Sequence, residues 1–428
     1  MPRPLSGLAR RTRVLAGLAA VQLAASLTAA VVLQPPAEPV NGSAQTRARA
    51  ALPDPREEAV RALLTARAAA MQRRDRAGWL AVVDPFATAF RRQQGEVFDA
   101  LAQVPAADWS YRLDPSQEQP AADAVDRRRG SGWWAPRVTL SYRLAPWDTQ
   151  PTAEAQHLTF VPRNGRWFLA ADDDFTDRTV RGLWDFGPVV AVASRSALVL
   201  GHPSSRSLLR TVANAVDDAV PRVTSVWGPG WAQRVVVLVP SSQQELEEIV
   251  DGAGDVSHIA AFAQATAPGV GERIVVNPVA FRRLSGIGRR VVLTHEATHV
   301  ATRAATGSAM PPWLVEGFAD YVGYVGVSLP YRVAAQELRD DVRRGRIPTS
   351  LPDANDFGGD NSGLASAYEQ AWLAAVLLAE QHGPAGLIRL YRRVGSGATV
   401  DASLRALFGT DEAAFTRDWR RDLRTRLS

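Results

Sequence analysis

VVLTHEATHV, Val291 to Val300, sets two histidines four residues apart with a glutamate directly after the first. On a helix that spacing projects His295 and His299 from one face about one turn apart, so two imidazoles can grip one cation. Glu296 is poorly placed to be a third ligand and well placed to reach a water on that cation. Ser285 reads as the N-cap of this helix and Gly307 as its stop.

Twelve residues on, PPWLVEGFADYV begins a second helix, with Pro311 and Pro312 suited to its first turn. Glu316 follows His299 by 17 positions, close enough for this helix to fold back and offer a carboxylate. Asp320 lies one turn beyond Glu316 on the same face, placed to accept the second ring N–H of a metal-bound histidine and fix its tautomer. The competing reading, an acidic surface face, fits poorly. Trp313, Leu314, Phe318, Tyr321 and Val322 leave the helix little polar surface, so its carboxylates need partners. Two histidines and a carboxylate can also hold non-haem iron, but a Glu between two His of one helical turn is the zinc-hydrolase arrangement.

The rest of the composition narrows the chemistry. With 428 residues the chain can bury a large core without staples, and it has no cysteine, which excludes disulfides, thiolate metal sites and a cysteine nucleophile. The net charge of +5 comes from Arg alone, since no Lys occurs. The Arg residues are scattered among acids, so no nucleic-acid partner is expected. The run Arg127-Arg128-Arg129 reads as a solvated loop, and Asp172-Asp173-Asp174 as a solvated strand end. His157, His202 and His258 lack ligand spacing.

Arg3, Arg10, Arg11 and Arg13 precede an uncharged stretch, Val14 to Leu33, of about the 20 residues that cross a bilayer. Residues 1–33 are therefore expected to be a signal or, preferably, a retained transmembrane anchor, which places the bulk of the chain outside the cytoplasm. Pro-rich residues 34–55 read as a linker. Residues 56–175 run helices first, then three strand-like segments, RVTLSYRLA, AEAQHLTFVPR and GRWFLAADD, the last two joined by the hairpin signal Asn164-Gly165. Helices on one face of a curved antiparallel sheet would follow. Residues 176–203 form a connector in which PVVAVASRSALVLG contributes a strand or two, and 204–428 read as a sheet portion followed by a helical one. The fold class is α+β.

The order of elements in 56–175 resembles the NTF2-like, cone-shaped α+β domains. HEATH followed by WLVEGFADYV resembles the gluzincin metallopeptidases, and more narrowly is similar to the peptidase MA-like domains of bacterial (actinobacterial-type) envelope proteins, over roughly Pro188 to Ser428. That resemblance implies Zn2+ on His295, His299 and Glu316, with Glu296 as general base, Asp320 behind His295, and a peptide or protein as substrate. It also implies that RIVVNP is an edge strand along which an extended peptide lies. The Gly-x-Met-Glu-Asn segment with which aminopeptidase relatives hold a free amine is absent, which points to endopeptidase-type hydrolysis. Other gluzincins use a Tyr from a later helix to steady the oxyanion. Tyr368 is the candidate here, a core tyrosine being the other reading, while His382, just before Gly383, reads as a helix-end residue. The rival function is a peptidase fold kept as a binding scaffold, with hydrolysis slow or absent.

Overall fold

The computed structural model describes residues 54–175, 179–250, 256–257, 259–265, 270–358 and 363–428. The apolar stretch Val14 to Leu33, most of the linker, and His258 lie outside the described residues. Among the described residues no helix is long and apolar enough to cross a membrane. The chain divides into two compact units with the border between Val190 and Ala191.

In the first unit, α1 (Pro55–Gln72) starts at Asp54, whose side chain accepts from Arg56 N, and buries Val60, Leu63, Leu64 and Met71 along one face. Helices α2 (Arg76–Ala81) and α3 (Thr88–Ala100) precede the strands. Its described residues form five strands, which fall into two sheets. β1 (Ala106–Glu118), β2 (Pro136–Leu144) and β3 (Thr152–His157) form an antiparallel sheet in that order. β4 (Thr159–Arg163) and β5 (Arg166–Ala171) form a separate hairpin, turning at Asn164 and Gly165, both with positive φ (50° and 76°). AEAQHLTFVPR is thus two strands that part company at Leu158, rather than one strand of a single curved sheet. β1 carries no clean alternation because Asp108 (φ 56°) and Pro115 interrupt it at irregular registers, so its sequence gives no strand signal. Val60, Leu64, Leu113, Trp134, Val138, Phe160 and Leu169 close the core.

The two charged runs are solvated only in part: Arg127, Arg128 and Asp173 are exposed, while Arg129, Asp172 and Asp174 are drawn into buried pairs. Arg127-Arg128-Arg129 ends a short helix, α4 (Asp123–Arg129), and Arg129 grips Asp174 through two hydrogen bonds of 2.8 and 2.9 Å, with Arg128 at 3.2 Å. Asp172 is held by Arg181 at 2.7 and 3.1 Å. Pairing with these guanidiniums lets both carboxylates be buried.

The second unit builds a five-stranded sheet from β6 (Val190–Ala193), β7 (Ala197–Gly201), β8 (Val235–Val239), β9 (Ala261–Gln264) and β10 (Arg273–Val276), in the order β6-β7-β8-β10-β9. β7, β8 and β10 are parallel neighbours and read as unbroken apolar runs, as strands covered on both faces do. β9 returns antiparallel beside β10. The strand in RIVVNP is therefore interior, and β9 is the edge strand on that side, with β6 at the other edge. Around the sheet lie α5 (Arg206–Trp227), α6 (Gln243–Ile249), α7 (Pro278–Arg283) and α8 (Gly286–Thr302). They are followed by α9 (Pro312–Tyr324), α10 (Tyr331–Ala334), α11 (Gln336–Arg343), α12 (Leu364–Gly395), α13 (Val400–Phe408) and α14 (Glu412–Leu427). α12 breaks at Gly383 (φ 74°), just before Pro384.

Candidate active site

Ser285 caps α8 by accepting from Gly288 N at 3.1 Å, and the α-helix ends at Thr302, short of Gly307. From Val291 to His299 every residue is buried. Thr294 and Thr298 turn their hydroxyls back to the carbonyls of Arg290 (2.7 Å) and Thr294 (2.8 Å), which lets threonines sit in a helix buried on all sides.

α9 lies against α8 and α12 at very short range. A Cβ on Gly317 would stand 2.3 Å from the Ala371 carbonyl oxygen of α12, and one on Gly323 would stand 3.2 Å from the Val291 carbonyl oxygen of α8. Only glycine permits the first approach. Behind α9, Phe318 meets Tyr391 of α12 and Trp227 of α5 with ring centroids 4.9 and 5.6 Å apart, fixing its rotation.

That placement brings Glu316 and Asp320 to the histidines. The two Nε2 atoms of His295 and His299 are 2.8 Å apart, and Glu316 Oε2 lies 3.2 Å from one and 3.3 Å from the other. The Nδ1–H of His295 donates to Asp320 at 2.8 Å, which turns its Nε2 toward the other two donors. Zinc bonds of about 2.0–2.1 Å in a tetrahedron set neighbouring donors about 3.3 Å apart, so this triangle fits such an ion, slightly compressed on its His–His edge. Glu316 Oε2 has no hydrogen-bond donor. Three acceptors converging in a buried space call for a cation. Among the described residues, His295, His299 and Glu316 are the one group of three or more with metal-holding spacing, consistent with Zn2+.

Without an ion, the same cluster favours positive charge at this place. Burial opposes the ionised form of Glu316, but the imidazoles of His299 and His295 override it and hold the carboxyl at about 2. Burial also opposes charging His295, and Asp320 and Glu316 outweigh it, raising the imidazole well above its ordinary value. Glu296 is different: burial dominates and pushes its carboxyl up to about 8.

Glu296 Oε1 is buried without a hydrogen-bond donor, and so is the hydroxyl of Tyr368, on α12. The Tyr368 ring stands edge-on to His295 with centroids 6.3 Å apart, and Phe357 packs edge-on against its other side. Burial, with Glu316, Asp320 and Glu296 nearby, drives the phenol well above its usual range, so it stays a donor. All six residues are at most 4% exposed.

Two contributors had no signal in the sequence. The backbone N–H of Ala263, on the edge strand, serves the Glu296 carboxylate. Arg303, one turn beyond His299, donates to the Ala263 carbonyl at 3.4 Å and pairs with Glu272 at 3.3 Å, tying α8 to the edge strand. The two other described histidines of this unit have partners of their own. His202 pairs with Glu245 at 2.7 Å, joining the end of β7 to α6, and the His382 ring stacks on Phe408 at 3.8 Å.

No known protein family matches the chain, and no curated protein does. Among solved structures it is similar to yeast LTA4 hydrolase in complex with bestatin, at 13% identity and a TM-score of 0.32, over 52% of this chain and 37% of that one. It is also similar to an M1 zinc metallopeptidase from Deinococcus radiodurans, at 15% identity and a TM-score of 0.30, over 62% and 59%. The chain thus spans less than two thirds of the length of either. Both likenesses are distant, and what the site can do follows from its own geometry.

Proposed function

We propose that this chain is a zinc-dependent, endopeptidase-type hydrolase of peptides or proteins acting outside the cytoplasm. The observation that carries the reading is the convergence of His295 Nε2, His299 Nε2 and Glu316 Oε2 beside the unpartnered Oε1 of Glu296. A zinc ion held by those three donors would act as a Lewis acid and lower the pKa of water at the site from 15.7 to about 7. Glu296 takes the water's proton on Oε1 and passes it to the leaving amine. Asp320 keeps the proton on His295 Nδ1, so Nε2 presents its lone pair. Tyr368 donates its hydroxyl hydrogen to the peptide oxygen as charge develops there. An extended substrate adds along β9, the edge strand beside Glu296.

The NTF2-like reading of the first unit is supported by its order of helices before strands, and the location by the uncharged stretch Val14 to Leu33. The burial of all six site residues favours a second reading, a binding scaffold with slow or absent hydrolysis.

Metal analysis of the purified chain, paired with cleavage of a peptide library, separates these. The expected result is one zinc per chain and internal cleavage, with Glu296→Gln keeping its zinc and losing about 10³-fold in turnover. Zinc without cleavage supports the scaffold. Full activity in E296Q overturns the base, and absence of zinc overturns both readings.

A further inference from the structure

Arg303 stands just past the end of α8, and its side chain, 15% exposed, reaches two groups outside that helix. Its Nε lies 3.3 Å from the carboxylate of Glu272, the residue that leads into β10. Its Nη2 donates to the Ala263 carbonyl of β9 at 3.4 Å. One guanidinium thus ties the edge strand and its neighbour to the helix that carries His295, Glu296 and His299.

The strand register explains why Ala263 can be held in this way. Asn277 N donates to the Ala260 carbonyl at 3.0 Å, so these two residues form a hydrogen-bonded pair at the end of the β9–β10 ladder. Bonded and non-bonded pairs alternate along an antiparallel ladder. Ala263 stands opposite Ile274, three positions further on, and falls in the non-bonded class. Its N–H and C=O therefore both turn away from β10, and their partners are the Glu296 carboxylate and the Arg303 guanidinium. Because the two groups of one strand residue face the same side, a hold on the carbonyl also fixes where the N–H points.

We propose that Arg303 is a positioning residue for hydrolysis: by holding the Ala263 carbonyl it sets the Ala263 N–H against Glu296 and so fixes the carboxylate that takes the proton. Glu272 holds Arg303 in that posture. This role presupposes the hydrolase reading given above.

Arg303→Ala, made in the full chain, removes the hold. Amide hydrogen exchange at Ala263 is expected to quicken at least about tenfold, the share of a hydrogen bond to a charged group, while the amides of β8 keep their rates. Turnover is expected to fall about 10- to 100-fold with KM changed less than about threefold, as for a displaced catalytic group. A side chain that only supports the fold would instead loosen β8 and β9 together and leave the turnover of folded molecules as it was. Because Arg303 is largely buried, R303A can fail to fold. Glu272→Gln, which keeps Arg303 and weakens one of its two contacts, is expected to move both readings in the same direction by a smaller factor. Unchanged exchange at Ala263 in folded R303A, exchange that quickens equally in β8, wild-type turnover in R303A, or neither reading moved in E272Q would each overturn the proposal. Exchange at Ala263 is read without substrate, so an inactive wild-type chain would sink the hydrolase reading while the hold on Ala263 was still tested.

Discussion

Both units bury carboxylates, and the ion pairs of the first contrast with the metal-type cluster of the second. In the first, Asp84, Asp172 and Asp174 meet the guanidiniums of Arg163, Arg181 and Arg129 at 3.0, 2.7 and 2.8 Å. In the second, Glu316 faces two imidazole nitrogens, and Glu296 and Glu316 each keep an oxygen with no donor. A carboxylate matched by a fork of donors is complete, and it holds segments together. Acceptors that converge on one another are incomplete, and the fold keeps them so only if something else enters. The contrast separates a structural acid from a functional one without reference to any relative.

The sharpest way to break this contrast is to remove the converging oxygen. Glu316→Ala should drop the zinc content, read by mass spectrometry of the dialysed protein, from one per chain to background, while the folded state survives because no structural pair is lost. A full complement of zinc in E316A would mean that the donors converge for some other reason. Next in size is Asp320→Asn, which leaves all three ligands and disturbs only the orientation and basicity of His295. Zinc affinity in a competition titration should fall by about 10- to 100-fold, and an unchanged affinity would make Asp320 a packing residue.

How far the sequence discloses these features follows the range of the interactions. His295 with His299, and Glu316 with Asp320, are readable because four residues on a helix always lie about one turn apart. That the second pair folds onto the first is an inference from a separation of 17 positions, and it is Gly317 and Gly323 that allow it, by letting α9 touch its neighbours backbone to backbone. The choice of edge strand was not readable. AFAQ and RIVV are both short apolar runs, and nothing local says which lies outermost. The Arg129 and Asp174 pair spans 45 residues, so each run taken alone has the composition of a solvated segment. β1 was hidden because its irregular registers at Asp108 and Pro115 break the alternation that marks a strand.

The smallest effect tests the structural half of the contrast. Asp174 has a side chain 1% exposed, against 20% for Arg129. Asp174→Ala leaves a partly buried guanidinium without its anion and should cost about 2 kcal/mol, below the range for a fully buried pair because Arg129 can turn to solvent. Burial disfavours the charged form of Asp174, but the bonds from Arg129 more than compensate, and its carboxyl titrates below the ordinary range. A depressed carboxyl contributes stability that is present above its unfolded value, about 3.9, and is lost as the pH falls through the folded one. The deficit of D174A relative to the wild type should therefore be constant from about pH 7 to 5 and shrink below about pH 4, measured as hydrogen exchange at the α4 amides. Its zinc content should not change. A deficit that persists undiminished in acid would show that Asp174 acts through packing rather than charge, and zinc loss in D174A would show that the two kinds of buried acid are not separable in this chain.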